Sequence, residues 1–185
     1  MSKVVVVEYD PGWPETFARL RDAVWPAVAE HAHSIEHVGS TSVPGLAAKP
    51  VIDMTIVVRD DAGLPRVIAS LADIGYTHRG DLGVAGREAF RAPAALPRHH
   101  LYACVAGDKS LMNHLAVRDT LRGDAERAQA YGDLKQQLAT RFPDDMESYL
   151  EGKTDFILGI LDEAGFDSGE LDAIREINRD AGREP

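Results

Sequence analysis

The sequence predicts an α+β protein: a small mixed β-sheet flanked by helices, followed by a helical C-terminal section. Three observations carry this. Short β-branched or alternating runs at Val4–Val7, Ser34–Val38, Pro50–Val58 and His99–Ala106 are interleaved with helical periodicity in the first hundred residues. From Ser110 onward the periodicity is helical only. The 185 residues, 44% hydrophobic and 27% charged, can bury one core, which excludes a mainly disordered chain. The expected organisation is therefore a single domain over 1–185, with an α/β core over about 1–108 and a helical section over about 109–180 packed on it.

Val4–Val7 reads as a strand closed by the turn residues Asp10-Pro11-Gly12. Trp13 to about His33 reads as a helix with Phe17, Leu20, Val24 and Val28 on one side, kinked or split at Pro26. Ser34–Val38 is a short strand running into Gly39-Ser40-Thr41-Ser42-Val43-Pro44-Gly45, a loop of small residues. Pro50–Val58 is almost continuously apolar, the pattern of a strand buried on both faces, with Asp53 in its middle. Leu64–Ile74 is a helix stopped by Gly75. Residues 76–98 are irregular, with a short strand at Ala89–Arg91. Helices follow around Leu111–Leu121, Tyr131–Leu138, Met146–Leu161 and, more weakly, Leu171–Ile177.

Composition narrows the function classes. No apolar run reaches the length of a membrane span, and the first residues lack a signal-peptide pattern. The single cysteine, Cys104, cannot form an intramolecular disulfide, which fits a reducing cytoplasm. The net charge of −10 argues against general nucleic-acid binding. That charge is uneven: Asp144–Pro185 holds 13 acids and 4 bases, whereas residues 1–143 hold 17 acids and 16 bases. The near-neutral part can still hold an anionic ligand.

Two features carry chemistry. A strand ending in Gly39-Ser40 and a tight loop turns backbone N–H groups toward one spot, with the hydroxyls of Ser40 and Ser42 beside them, a nest suited to phosphate oxygens. The bland alternative is an ordinary loop. Asp53 is costly inside an apolar strand unless paired, hydrogen-bonded or bound to a cation. It reads either as a structural carboxylate paired with Lys49 or an arginine, or as the ligand of a Mg²⁺ or Mn²⁺ ion shared with substrate phosphates. His100 faces Asp53 if their strands are neighbours, and Glu36 or His37 could join the ligand set. Among the cations Lys49, Arg87, Arg91 and Arg98, Lys49 lies between loop and carboxylate, and Arg87 follows Gly86 in a flexible stretch. His114 and Arg118, four apart on one helix face, read as structural ties, as do Lys135 and Lys153. Cys104 reads as a buried, inert thiol.

Gly39-Ser40, twelve intervening residues and Asp53 on an apolar strand together resemble the signature of the nucleotidyltransferase superfamily. There a Gly-Ser loop holds the triphosphate and an Asp-x-Asp or Asp-x-Glu strand holds the metals. The string from Ile35 to Asp53 (IEHVGSTSVPGLAAKPVID) is more closely similar to one branch, the GrpB family, also called UPF0157. Arg98-His99-His100-Leu101-Tyr102, His114–Asp119, Tyr131–Lys135 and Tyr149–Lys153 also look like that family, so the resemblance runs from about Tyr9 to Ala164.

The resemblance implies a nucleotidyltransferase-like fold, a nucleoside triphosphate as donor, and metal-dependent nucleotidyl or phosphoryl transfer to some acceptor. On it, Asp53 is catalytic and binds metal with His100, while Gly39, Ser40, Thr41, Ser42, Lys49 and Arg87 hold the nucleotide. This sequence departs from the superfamily pattern twice. Thr55 stands where a second carboxylate belongs, and the strand His99–Ala106 offers His100 and Tyr102 instead of a third. Two-metal chemistry needs several anionic oxygens. The departures therefore favour a second reading, a non-catalytic module that binds a small nucleotide or metabolite. A third is a transition-metal hydrolase built on Asp53 and the histidines.

Overall fold

The structure is a computed structural model and describes residues 3–180. It divides into two compact units, interleaved along the chain. The sheet unit takes Pro11–Ser42 and Val51–Leu115. The helical unit takes the stretch up to Asp10, Val43–Pro50, and the chain from Ala116 on. Among the described residues no helix is long and apolar enough to cross a membrane.

In the sheet unit, helix α1 (Trp13–Val28) precedes strand β1 (Ala32–Val38) and a 3₁₀ turn at Ser40–Ser42. Strand β2 (Ile52–Val58) and helix α2 (Leu64–Asp73) follow. After them come β3 (Thr77–His78), β4 (Arg87–Arg91), β5 (His99–Val105) and the start of α3 (Lys109–Gly123). The spatial order is β1-β2-β5-β4-β3. Only β2 and β5 are parallel; the other pairs are antiparallel. A mixed sheet results, as the sequence predicts.

Alternation sorts the side chains into two faces. Ile52, Met54, Ile56, Val58, Leu101 and Ala103 lie on one face and are fully buried. There they meet the apolar stripes of α1 (Leu20, Val24, Val28) and α2 (Val67, Leu71), whose helices pack on β1, β2 and β5. The opposite face carries Asp53, Thr55 and Val57. β2 is thus fully buried on one face only, because Asp53 and Val57 on the other keep partial exposure.

Pro26 neither splits nor ends α1. It falls in the last turn, and the helix runs on to Val28. Val4–Val7 forms no strand of the sheet; its only ladder contact is a single antiparallel bridge from Val7 to Ala48. A β-branched run needs a partner edge to become a strand, and Val4 N–H instead donates to the Pro143 carbonyl at 2.8 Å.

The helical unit contains α4 (Ala125–Arg141), α5 (Met146–Glu163) and α6 (Ser168–Asp180). Asp124 and Asp145 cap α4 and α5, accepting from the N–H groups of Arg127 (2.9 Å) and Ser148 (3.0 Å). The Val43–Pro50 strap packs Val43 and Leu46 against Leu121, Ala128, Tyr131 and Ile160. The strap runs past α4 at Gly132, where a Cβ would make ordinary contact with Leu46 and Ala47. The buried Lys135 donates its ammonium to the Ala47 carbonyl and lies 4.6 Å over the Tyr131 ring.

Candidate functional site

The candidate site is built on the second face of the sheet. Strand β1 ends at Val38, and the chain reverses at Gly39 with φ +67°. This left-handed conformation suits glycine, and a Cβ there would run into the Asp53 Oδ2 atom. The turn and the carboxylate are therefore fitted to each other. Ser42 closes the turn: its hydroxyl donates to the Gly39 carbonyl at 2.6 Å and its N–H to the same oxygen at 3.2 Å. Thr41, 1% exposed, bonds His37 Nε2 at 3.0 Å. Thr41 and Ser42 thus set the shape of the loop, and Ser40 is its half-buried hydroxyl.

Register places Asp53 opposite His100 in the parallel β2–β5 pair, and Asp53 Oδ1 meets His100 Nδ1 at 2.7 Å. Both side chains keep solvent contact, 30% exposed for Asp53 and 47% for His100. Further along the same face, Thr55 lies opposite Tyr102 on one side and Glu36 on the other. Thr55 is fully buried, with its hydroxyl 3.4 Å from His114 Nδ1 on α3. The His114 ring also packs on Tyr102, centroids 5.9 Å apart. Arg87, on β4, lays its guanidinium 4.5 Å over the centre of the Tyr102 ring.

Electrostatics follow from this crowding. Burial, then the nearby Asp53 charge, pushes the Tyr102 phenol up to about 12, so it stays protonated. Burial pushes His114 down to about 4, and Arg87 adds to the fall while Asp53 opposes it. His114 is therefore a neutral imidazole at pH 7. Cys104 is buried beside Ser110 (3.1 Å between Sγ and Oγ), and burial raises its thiol, the inert environment expected.

Other residues singled out in the sequence have surroundings of their own. His37 points to the helix-covered face, where its ring stacks on Phe17 at 4.6 Å and bonds Thr41. Glu36 does share the Asp53 face, and accepts from the Ser34 hydroxyl at 2.8 Å. Lys49 belongs to the helical unit, with its ammonium 3.7 Å from Met146 Sδ. Arg91 and Arg98 are solvent-exposed. His114, read as a structural tie between helix and sheet, does meet the sheet at Thr55, and its ring packs on Tyr102 at the site. Which sheet residues it meets is not marked in the sequence, because that depends on where α3 crosses the sheet.

The donor set bears on metal binding. Among the described residues there is no group of three or more His, Cys, Asp or Glu side chains arranged to hold an ion. Asp53 and His100 make two protein donors. A Mg²⁺ or Mn²⁺ ion there would draw its remaining ligands from water and substrate phosphate.

A glycine turn closed on a strand-borne aspartate, in a small mixed sheet, defines a nucleotidyltransferase-like fold. A solved structure of Cid1 in complex with its short product ApU superposes with TM-score 0.51 at 14% identity, covering 74% of this chain and 43% of that one. Within that class, residues 3–163 match the family described as GrpB protein, and the chain belongs to that family. It is 34% identical to the crystal structure of conserved protein GrpB from Enterococcus faecalis, with TM-score 0.76, covering 93% of this chain and 98% of that one. It is also 35% identical over 155 residues to the UPF0157 protein YqkA of Bacillus subtilis (strain 168), covering 84% of this chain but 45% of that protein. The chain thus spans about half the length of that relative.

Proposed function

We propose that this GrpB-family chain handles a nucleoside triphosphate or a related phosphorylated metabolite. The Gly39–Ser42 turn holds its phosphates, and Asp53 faces the reacting phosphorus in a nucleotidyl or phosphoryl transfer. One observation carries this: Gly39 has no room for a side chain because the Asp53 carboxylate occupies that space. A backbone turn and a carboxylate held this close suit a phosphate and its counter-ion. Mg²⁺ or Mn²⁺ is the ion Asp53 and His100 would share with that phosphate, supplying charge neutralisation when bound. His100, fixed through Nδ1, would keep Nε2 toward the ligand side.

A second reading, binding without transfer, is favoured by a separate observation. Thr55 is wholly buried against His114, and Tyr102 stays a neutral phenol, so neither takes the part of the missing acids.

A thermal-shift panel of ATP, GTP, CTP, UTP and coenzyme A precursors, with and without Mg²⁺ or Mn²⁺, tests both. A ligand at a hundred times its Kd adds roughly 2.7 kcal/mol, a rise of several degrees. Product formation that disappears in Asp53→Asn supports transfer. Binding without product in any metal supports the second reading. No shift with any nucleotide defeats both.

A further inference from the structure

We propose that Arg87 is the resident cation of this site, doing for a polyphosphate what a second metal ion does in a two-metal transferase, so that the polyphosphate binds without divalent metal. The inference rests on the phosphate-site reading above and extends it to Arg87 and to the metal requirement.

Four observations converge on Arg87. That face carries Asp53 beside the glycine turn and Glu36 across from Thr55 on β1, while the positions where the further acids belong are the neutral Thr55 and Tyr102. Carboxylates are what hold a second ion, and here their places hold none. Next to Tyr102, on β4, stands a permanent positive charge whose guanidinium covers the phenol face at 4.5 Å. A guanidinium stacked there would compete with a metal ion at the Tyr102 position for the same charge.

The hydrogen bonds of Arg87 are unusually incomplete. Its Nε is buried and without a hydrogen-bond partner among the described residues. Its Nη2 makes one long contact, 3.4 Å to the Asp81 carbonyl. A buried donor left unmade carries a desolvation cost that a ligand oxygen would relieve. An arginine fork with unused donors matches phosphate oxygens two at a time, which lysine cannot do. Finally, His114 packs on the same tyrosine and is held neutral, by burial first and only secondarily by Arg87. The positive charge of this corner is thereby left to the guanidinium.

The ligand chemistry follows. A nucleoside di- or triphosphate would lie with one phosphate on the Gly39–Ser42 turn and another on Arg87, and Asp53 would oppose its negative charge until an ion intervened. Metal-free binding should therefore depend on Arg87 and be weakened, not helped, by Asp53.

The test is calorimetric titration of the full chain with inorganic tripolyphosphate and with ATP, GTP, CTP and UTP, in EDTA and again in excess Mg²⁺. Binding should persist in EDTA, and Arg87→Gln should weaken it about tenfold or more. Arg87→Lys, which keeps the charge and loses the fork, should fall between. Asp53→Asn in EDTA should bind at least as tightly as the parent chain. Thermal melts without ligand establish that each variant is folded. Binding that requires Mg²⁺ and ignores Arg87→Lys and Arg87→Gln overturns the inference while leaving the phosphate site standing. No binding of any probe in either buffer overturns both.

Discussion

His99 and His100 are neighbours on one strand and live in different chemistry. His99 points to the helix-covered face, 5% exposed, with Nε2 2.8 Å from the Tyr76 hydroxyl and Nδ1 2.7 Å from the Pro97 carbonyl. Burial, the larger effect, depresses its pKa despite the Pro97 bond, so it is neutral: Nδ1–H donates to Pro97 and Nε2 accepts from Tyr76. Both ring nitrogens are used. His100 points to the other face, gives one nitrogen to Asp53 and stands half in water. The two faces differ likewise along β2, where Met54 and Ile56 are sealed and Asp53 is not. Burial with complete hydrogen bonding marks a residue that stabilises. Partial exposure with an incomplete set, as at His100 and Arg87, is what the proposed ligand site requires.

That contrast predicts different penalties on the two faces. Leu101→Ala, on the sealed face and fully buried, should cost the most, about 2–5 kcal/mol, since it removes packed methyls and leaves a cavity. Denaturant unfolding measures it, and nucleotide-induced stabilisation should survive in the folded fraction. A cost below about 1 kcal/mol would mean the helix layer can collapse into the gap, and the faces would be less distinct than their burial indicates.

Gly39→Ala should follow, at about 1–3 kcal/mol, from left-handed strain and the collision with Asp53. Here stability and binding should fall together, because the carboxylate or the turn must move. A variant that keeps ligand-induced stabilisation would separate the turn from the site.

Much of this contrast is readable in the sequence. Asp53 stands out because a carboxylate in an apolar strand needs a reason, and two-residue alternation alone puts Asp53 and Thr55 on one face. The pairing of Asp53 with His100 is legible once the two strands are taken as neighbours, and the structure makes them a parallel pair. Arg87 is legible as a cation near glycine, but not its stack on Tyr102, which depends on β4 lying antiparallel to β5 across an irregular stretch. His114 is legible as a structural tie, but not its contacts with Thr55 and Tyr102, which depend on where its helix crosses the sheet. Val4–Val7 shows the opposite failure: local β propensity was strong, and the tertiary structure supplied one bridge instead of a sheet edge.

Acid should expose the histidines next. His99 and His114 both have folded pKa values below the ordinary 6.5, His114 down to about 4. The unfolded chain therefore binds more protons than the folded one in this window. Their contribution is intact above pH 6.5 and declines as pH falls from 6.5 toward 4. His114→Asn should flatten that decline in melts taken between pH 7 and 4.5. A slope that this variant leaves unchanged would mean that burial does not hold the His114 ring neutral.

Asp53→Asn should change stability least, within about 1 kcal/mol, because a hydrogen-bonded pair with both members partly in water is worth little. Its effect belongs to ligand chemistry. In the parent chain, adding Mg²⁺ to a bound nucleotide should raise the melting temperature beyond the metal-free value, and Asp53→Asn should remove that increment alone. Should the variant instead unfold several degrees early without ligand, Asp53 would be holding the Gly39 turn together as a structural carboxylate. It would then belong with His99 among the residues that stabilise, and the exposed face would have lost its one negatively charged candidate beside the loop.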